Sequence, residues 1–359
     1  MDGVKNLVII YEDADRTMKF LHQLSSAPFF DRLEINTIDA GVEHAVIATS
    51  TFEGGEDVCV FSRCSGSYTT RMHNKSPAII ESMLFTAEQS AKCTVFNGSQ
   101  AFRIEMNKML ANLYISGSEF QNWCTQKFQQ IPLAIPTTVA VTELNPKLIK
   151  HTLKTRNFAG DVYFKGLVGG GSQSVRKLHN SNHSNNEKHI MKVCQEMKKS
   201  TNSDEDIVLI QNEGPSWKAD VQYRFELINK RVYYVVRVDK KEDTSTNDGK
   251  VKNLCMCEIE DDDKDVDLIL YRNAEEFSKD EGLQNGPIGA LQSAKNIYSS
   301  LEKFAVENEL HVVAIEGTIA ESRLFAFDIN TNSNYNENLE KKYDIEPAAW
   351  KVVSSMFET

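Results

Sequence analysis

An apolar strand ending in lysine, Val162-Tyr-Phe-Lys165, runs through Gly166-Leu-Val into Gly169, Gly170, Gly171, Ser172, Gln173 and Ser174. Glycines let backbone N–H groups approach phosphate oxygens closely, and serine hydroxyls add further donors. The lysine supplies positive charge at the strand end. No Gly-Lys-Ser/Thr closes the loop and no clear helix follows it, so it is not a Walker A motif. Taken alone, it reads equally as a glycine-rich hairpin without a ligand.

A second group lies near the C-terminal end. In Phe325-Ala-Phe-Asp328-Ile-Asn330 the period of two puts Asp328 and Asn330 on one strand face. Glu316 is on the preceding strand, and the short connection between them brings it to a similar level. Two carboxylates and an amide oxygen are hard donors suited to Mg²⁺ bridging phosphates; the alternative is exposed strand polarity. The asparagine-rich run that follows, with Asn332, Asn334 and Asn336, offers hydrogen-bonding groups or ordinary turn chemistry. Between the two groups, Ile207-Val-Leu-Ile210 is an apolar strand ending in Gln211, Asn212 and Glu213. Arg224 and Arg237 then fall on apolar strands, where a guanidinium needs a partner, either an anionic ligand or a structural carboxylate.

The elements that would carry these residues follow from patterning. The first hundred residues alternate strands (Asn6–Tyr11, His44–Ser50, Asp57–Ser62) with helices (Asp15–Leu24, Ser76–Lys92), favouring an α/β layer with a largely parallel sheet. Ala101–Ser116 reads as one amphipathic helix. Ile131-Pro-Leu-Ala-Ile-Pro136 marks a turn into a strand at Thr137–Val141. Val221–Leu227 and Val232–Val238 form a hairpin around Asn229-Lys230. A helix over Pro287–Asn308 and strands at His311–Thr318 and Arg323–Asn330 complete the pattern. Two segments read as surface insertions: His179–Glu187, and the acidic stretch 239–267.

At 359 residues the chain is long enough for two or three domains. Its net charge of −11 argues against general nucleic-acid binding, although a local basic pocket for a small anion is compatible with it. No apolar run reaches membrane-spanning length, and Met1–Glu12 lacks the features of a secretory signal. The 7 scattered cysteines suit a reduced, cytoplasmic protein, with Cys255 and Cys257 reading as strand residues rather than a metal site.

The order of these parts resembles the ATP-grasp superfamily, in its carboxylate–amine ligase branch of glutamate-adding ligases and glutathione synthetase. Asn97-Gly98, Asn107-Lys108 and the proline turn at 131–137 resemble that branch as well, so the likeness spans roughly residues 97 to 336. It implies an α/β (α+β) fold: an N-terminal nucleotide-fold-like domain (1–96), then a two-lobed ATP-grasp fold. The first lobe with its central helix would span 97–212, and the second, with the metal site, 213–359. By resemblance, Lys108 and Lys165 contact the nucleotide phosphates and Gly169–Ser174 covers them. Gln211, Asn212 and Glu213 match the hinge at adenine and ribose, and Arg224, with Arg237 as second candidate, the acyl-phosphate site. Glu316, Asp328 and Asn330 match the Mg²⁺ (or Mn²⁺) ligands, with the usual Asp and Glu exchanged. Arg63, Ser65, Arg71, Asn334 and Asn336 are candidate substrate contacts.

The implied reaction is ATP-dependent amide-bond formation through an acyl phosphate, on an amino acid or short peptide. The implied partners are a small carboxylate and an amine, with a homodimer left open and neither nucleic acid nor membrane expected. Two other readings stand beside it, an ATP-grasp phosphotransferase acting on a hydroxyl and an inactive nucleotide-binding scaffold.

Overall fold

The computed structural model describes residues 5–11, 14–39, 58–64, 77–158, 160–167, 175–179, 187–200, 207–216, 218, 220–240, 266–333 and 335–358. Four parallel strands open it: β1 (Lys5–Tyr11), β2 (Leu33–Asp39), β3 (Val58–Arg63) and β4 (Cys93–Phe96), in the order β2-β1-β3-β4. Alternate residues of β1 serve opposite faces, which is why its run is continuously apolar. Leu7 and Ile9 pack with Phe20 and Leu24 of α1 (Ala14–Ser25), while Val8 and Ile10 pack with Ile80 and Leu84 of α2 (Ala78–Glu88). β2 escapes the sequence pattern because it is an edge strand, half polar and only partly buried. The strand order reverses between β1 and β3, so Tyr11 and Arg63, register partners, flank the crevice at their carboxyl ends.

The helix expected over 101–116 is two helices, α3 (Ser99–Met106) and α4 (Lys108–Ser116). Asn107 breaks the run with φ −140° and ψ 89°, and its side chain caps α4 by accepting from the Met109 N–H at 3.1 Å. Lys108 therefore opens a new helix instead of continuing the old one. α5 (Ser118–Phe128) follows.

A second sheet holds β6 (Thr138–Val141), β7 (Val162–Gly166), β8 (Val175–Leu178) and β9 (Val208–Asn212), antiparallel in the order β6-β9-β7-β8. Val162, Phe164 and Ile210 bury one face against Ile149 and Leu153 of α6 (Pro146–Thr155) and Ile190 and Met197 of α7 (Glu187–Ser200). The period of two then turns Tyr163, Lys165 and Gln211 to the opposite face.

The third sheet runs β12 (Val266–Tyr271), β11 (Arg231–Lys240), β10 (Val221–Ile228), β13 (Val312–Ala320), β14 (Arg323–Asn330) and β5 (Leu133–Ala134). Its pairs are antiparallel except β14–β5. Tyr223, Phe225 and Ile315 face Ile297, Leu301 and Phe304 of α10 (Ala290–Glu307). Tyr234, Val236 and Val312 on the reverse face pack with Leu7 and Phe61 of the first sheet and with Val352 of α12 (Ala348–Met356). The Asn229-Lys230 turn has φ 49° and 63°, the left-handed pair of a type I′ hairpin. Short helices α8 (Ala274–Phe277), α9 (Glu281–Gln284) and α11 (Glu337–Lys342) complete the described chain. Among the described residues no helix is long and apolar enough to cross a membrane.

Candidate functional site

The second and third sheets face each other across a narrow cleft lined by Lys108 and Asn112 of α4, Lys165 of β7, Gln211 of β9 and Phe327–Ile329 of β14. Lys165 reaches both walls. Its Nζ donates to Gln211 Oε1 at 2.7 Å in its own sheet and to the Phe327 carbonyl at 2.9 Å in the other. Lys108 donates to Asp328 Oδ1 from the head of α4.

The charges are coupled. Burial disfavours the Lys165 ammonium more than Asp328 supports it, Lys108 adds repulsion, and its pKa falls to about 8. Burial also works against charged Lys108, but Asp328, Glu105 and Glu316 outweigh it and hold its pKa above the ordinary value. For Asp328 burial favours the neutral acid, yet Lys108, Lys165 and Arg224 prevail and keep it below the usual range. Two cations of unequal strength thus flank one firmly ionised carboxylate.

Glu316 stands opposite Asp328 on β13 and opposite Arg224 on β10, so the three form one row across the sheet. Burial, reinforced by Asp328 and Glu226, outweighs Arg224 and raises the Glu316 carboxyl. Arg224 is held on every side: Nε donates to Glu226 Oε1 at 2.5 Å, Nη1 to Glu316 Oε1 at 2.6 Å and Nη2 to Ser333 Oγ at 2.7 Å. Asn330 lies two residues beyond Asp328 on the same strand face, its Oδ1 accepting from the Asn332 N–H at 2.8 Å. Among the described residues no group of three or more His, Cys, Asp or Glu could hold a metal ion, and the Asn330 amide oxygen, on the same strand face as Asp328, is an oxygen donor beyond the two carboxylates. Two carboxylates paired across adjacent strands plus that oxygen fit a hard divalent cation in donor chemistry.

Arg237 does not join this row. It pairs with Tyr223 rather than Arg224, and the strand period puts it on the opposite face of the sheet. There it forks onto Asp239 at 2.6 and 2.7 Å and reaches Asp280 at 3.2 Å. Asp280 also accepts from the hydroxyls of Tyr223 and Tyr271, both at 2.6 Å, so this is a buried structural network.

The hinge residues diverge. Gln211 faces the cleft, whereas Asn212 pairs with Val162 on the other face, its Oδ1 buried without a hydrogen-bond partner. Glu213 accepts from Tyr163 Oη at 3.1 Å and from Lys177 Nζ at 3.4 Å. Arg63 is buried, its guanidinium 4.8 Å from the Phe20 ring centroid, and its carbonyl accepts from Asn332 Nδ2 at 2.9 Å. Asn336 caps α11, accepting from the Leu339 N–H at 3.0 Å. Gly169, Gly170, Gly171, Ser172, Ser174, Ser65, Arg71 and Asn334 lie outside the described residues, as do the strand expected at His44–Ser50 and 241–265 of the acidic stretch.

Two residues for which sequence reasoning gave no role support the row from behind. Glu105 Oε2 accepts from the Thr331 N–H at 2.8 Å and from its hydroxyl at 3.1 Å, and burial raises its pKa to about 7. Asn97 donates through Nδ2 to the carbonyls of Val312 and Thr331, both at 2.6 Å, and accepts from the Val312 N–H at 2.9 Å. The available signal was an acid on the apolar side of an amphipathic helix, between Phe102 and Met109.

No family model matches the chain, and no curated protein does. Solved structures do. The D-alanine–D-alanine ligase from Bacillus anthracis superposes with a TM-score of 0.58 at 11% identity, over 99% of this chain and 97% of that one. The ATP-grasp ligase PsnB, complexed with a minimal precursor, gives 0.56 at 12% identity over 98% of each chain. The D-cycloserine synthetase DcsG gives 0.54 at 12% identity over 98% of this chain and 99% of that one. At such identities the likeness speaks for architecture, and over nearly its whole length the chain has the fold of the ATP-grasp carboxylate–amine ligases.

Proposed function

We propose that the chain is an ATP- and Mg²⁺-dependent carboxylate–amine ligase acting on an amino acid or short peptide. The observation that carries this reading is the convergence of Lys108, Lys165 and Asp328 at one cleft between two sheets, with Glu316 opposite Asp328 on the neighbouring strand. The PsnB structures, two of which hold Mg and ADP, support the cofactor pair by fold similarity.

In the proposed reaction a substrate carboxylate oxygen attacks the γ-phosphorus of ATP. The new O–P bond replaces the bond to the β-phosphate oxygen, and ADP leaves with that electron pair. An amine then attacks the acyl carbon, phosphate departs, and the amine nitrogen gives up a proton to solvent. Lys108 and Lys165 would hold the phosphates as fixed positive charge. Lys108 would exchange its Asp328 partner for a phosphate oxygen, freeing that carboxylate. Glu316, Asp328 and Asn330 would then hold Mg²⁺, which when bound offsets charge on the β- and γ-phosphate oxygens. Arg224, locked in place by Glu226 and Ser333, would orient the substrate carboxylate. The segment Gly169–Ser174 would exclude water, which otherwise hydrolyses an acyl phosphate. The proposed partners are thus a small carboxylate and an amine, in the cytoplasm.

The test is ADP release from purified protein with Mg-ATP and pools of amino acids and short peptides, with and without hydroxylamine. Formation of a hydroxamate alongside ADP is expected, because hydroxylamine traps the activated acyl group. ADP with a phosphorylated product and no hydroxamate would replace the ligase by a phosphotransferase. A sample that binds nucleotide tightly yet releases no ADP in any pool would favour the scaffold.

A further inference from the structure

We infer that Gln211 and Thr138 are positioning residues that aim Lys165 at the nucleotide phosphates, rather than contacts to the purine or ribose. This rests on the nucleotide-binding reading above and assigns a role within that site that the hinge resemblance does not. Lys165 Nζ donates to Gln211 Oε1 at 2.7 Å, and Gln211 Nε2 donates to Thr138 Oγ1 at 2.9 Å. Thr138 Oγ1 in turn donates to the Pro136 carbonyl at 2.8 Å. The direction of this chain is forced. An ammonium has only donors, so it must meet the amide oxygen. A carbonyl only accepts, so it must take the threonine proton and leave an oxygen lone pair for the amide N–H. One arrangement satisfies all three bonds.

Gln211 is 3% exposed. A side chain that reads a base edge needs a polar end turned to the ligand, and both ends of this amide are engaged within the protein. Its bond to Lys165 also lies within one sheet, across the β7–β9 pair. The other partner of Lys165, the Phe327 carbonyl, belongs to the facing sheet. Changes in cleft width therefore alter the Phe327 contact and leave the Gln211 contact intact. Lysine has four rotatable bonds, so a fixed acceptor is what turns a mobile charge into a directed one. The chain of bonds ends in the proline turn over residues 131–137, where Pro136 contributes a carbonyl and no N–H. That gives the turn a function: it anchors the relay that sets Lys165.

The experiment is titration calorimetry of the full chain with ADP and, separately, adenosine, on wild type, Gln211→Leu and Thr138→Val. Adenosine carries the base and ribose without phosphates. Gln211→Leu should weaken ADP about tenfold, the scale of one hydrogen bond to a charged group, with adenosine affinity held within about twofold. Thr138→Val, one bond further from the charge, should show the same split at about threefold. Loss of adenosine affinity in parallel with ADP, or unchanged ADP affinity in both variants, would overturn the assignment. Should Gln211→Leu fail to fold, Thr138→Val decides on the same criterion. A wild-type protein that binds neither ligand would instead overturn the nucleotide reading itself, a distinct result.

Discussion

Asp328 is the residue on which the most charges of the site converge. Lys108 bonds to it, Lys165 and Arg224 lower its pKa, and Glu316 faces it across the strand pair. Replacing it with asparagine keeps the volume and one hydrogen-bond acceptor but removes the charge that opposes burial of two ammonium groups. Lys165, already depressed to about 8, should lose protonation at still lower pH. With one of three candidate metal ligands also gone, Asp328→Asn should lower ADP release by at least about 100-fold, the scale expected for losing charge neutralisation at a transferring phosphoryl group. Circular dichroism and melting temperature guard against a folding defect. Turnover within about tenfold of wild type would sink the assignment of Asp328. Arg237 is the instructive contrast, since it has the same side chain on the same hairpin as Arg224. One step of strand register places it in a structural network with Asp280. Residue type and apolar context alone could not separate the two arginines, because that takes the pairing partner across the strands.

Between elements, the contacts that hold the site are long in sequence and few in number. Asn97, at the exit of β4, has φ 54° and makes three buried hydrogen bonds to β13 and the end of β14. It joins the first sheet to the third at the point where the Asp328 strand ends. Asn97→Ala would leave the N–H and C=O of Val312 and the C=O of Thr331 without this partner, and would put alanine in a left-handed conformation. A loss of about 3 kcal/mol in urea unfolding is expected, from unsatisfied buried groups with a smaller backbone contribution. A loss under about 1 kcal/mol would mean that the clamp is replaced by solvent. The elements themselves were largely legible. The Asn229-Lys230 hairpin, the α10 stripe, and the Glu316 and Asp328 strands all follow from period and turn chemistry. β2 was not, because an edge strand need not be apolar, nor was the break at Asn107, because the apolar residues from Phe102 to Leu113 keep helical spacing across it although Leu110 and Leu113 are exposed. The Asn97 and Glu105 contacts span 215 to 234 and 226 residues of sequence, and local patterning carries no information about such pairs.

For the molecule as a whole, buried acids set how stability responds to pH. Burial raises Glu105 from 4.5 to about 7 and Glu340 from 4.5 to about 8. Glu340 accepts from Tyr234 Oη at 2.9 Å and is also favoured as the anion by the Ala348 backbone N–H, but burial outweighs both, and Glu226 and Glu337 add repulsion. A carboxyl whose pKa is higher in the folded state binds more protons folded than unfolded between the two values. Stability from such a group is fully present below 4.5 and is lost as pH rises through the folded value. His311 works the other way. Burial and Lys230 lower it from 6.5 to about 4, so its effect is confined below 6.5, where stability falls as pH falls. Lys165, lowered to about 8, adds stability with rising pH only above that point. Between pH 6.5 and 7.5 the two acids outweigh His311 and Lys165, and these groups together should lower unfolding free energy by about 1.5 kcal/mol across that unit. Glu340→Gln keeps an acceptor for Tyr234 and removes the larger share, leaving a fall of at most about 0.7 kcal/mol. Both acids lie where the third sheet meets its neighbours, Glu105 against Thr331 and Glu340 against Tyr234. The loosening on the alkaline side thus acts at the joints between layers rather than inside any one of them. Urea unfolding of both proteins at the two pH values measures it, and equal slopes for wild type and Glu340→Gln would place the proton linkage elsewhere.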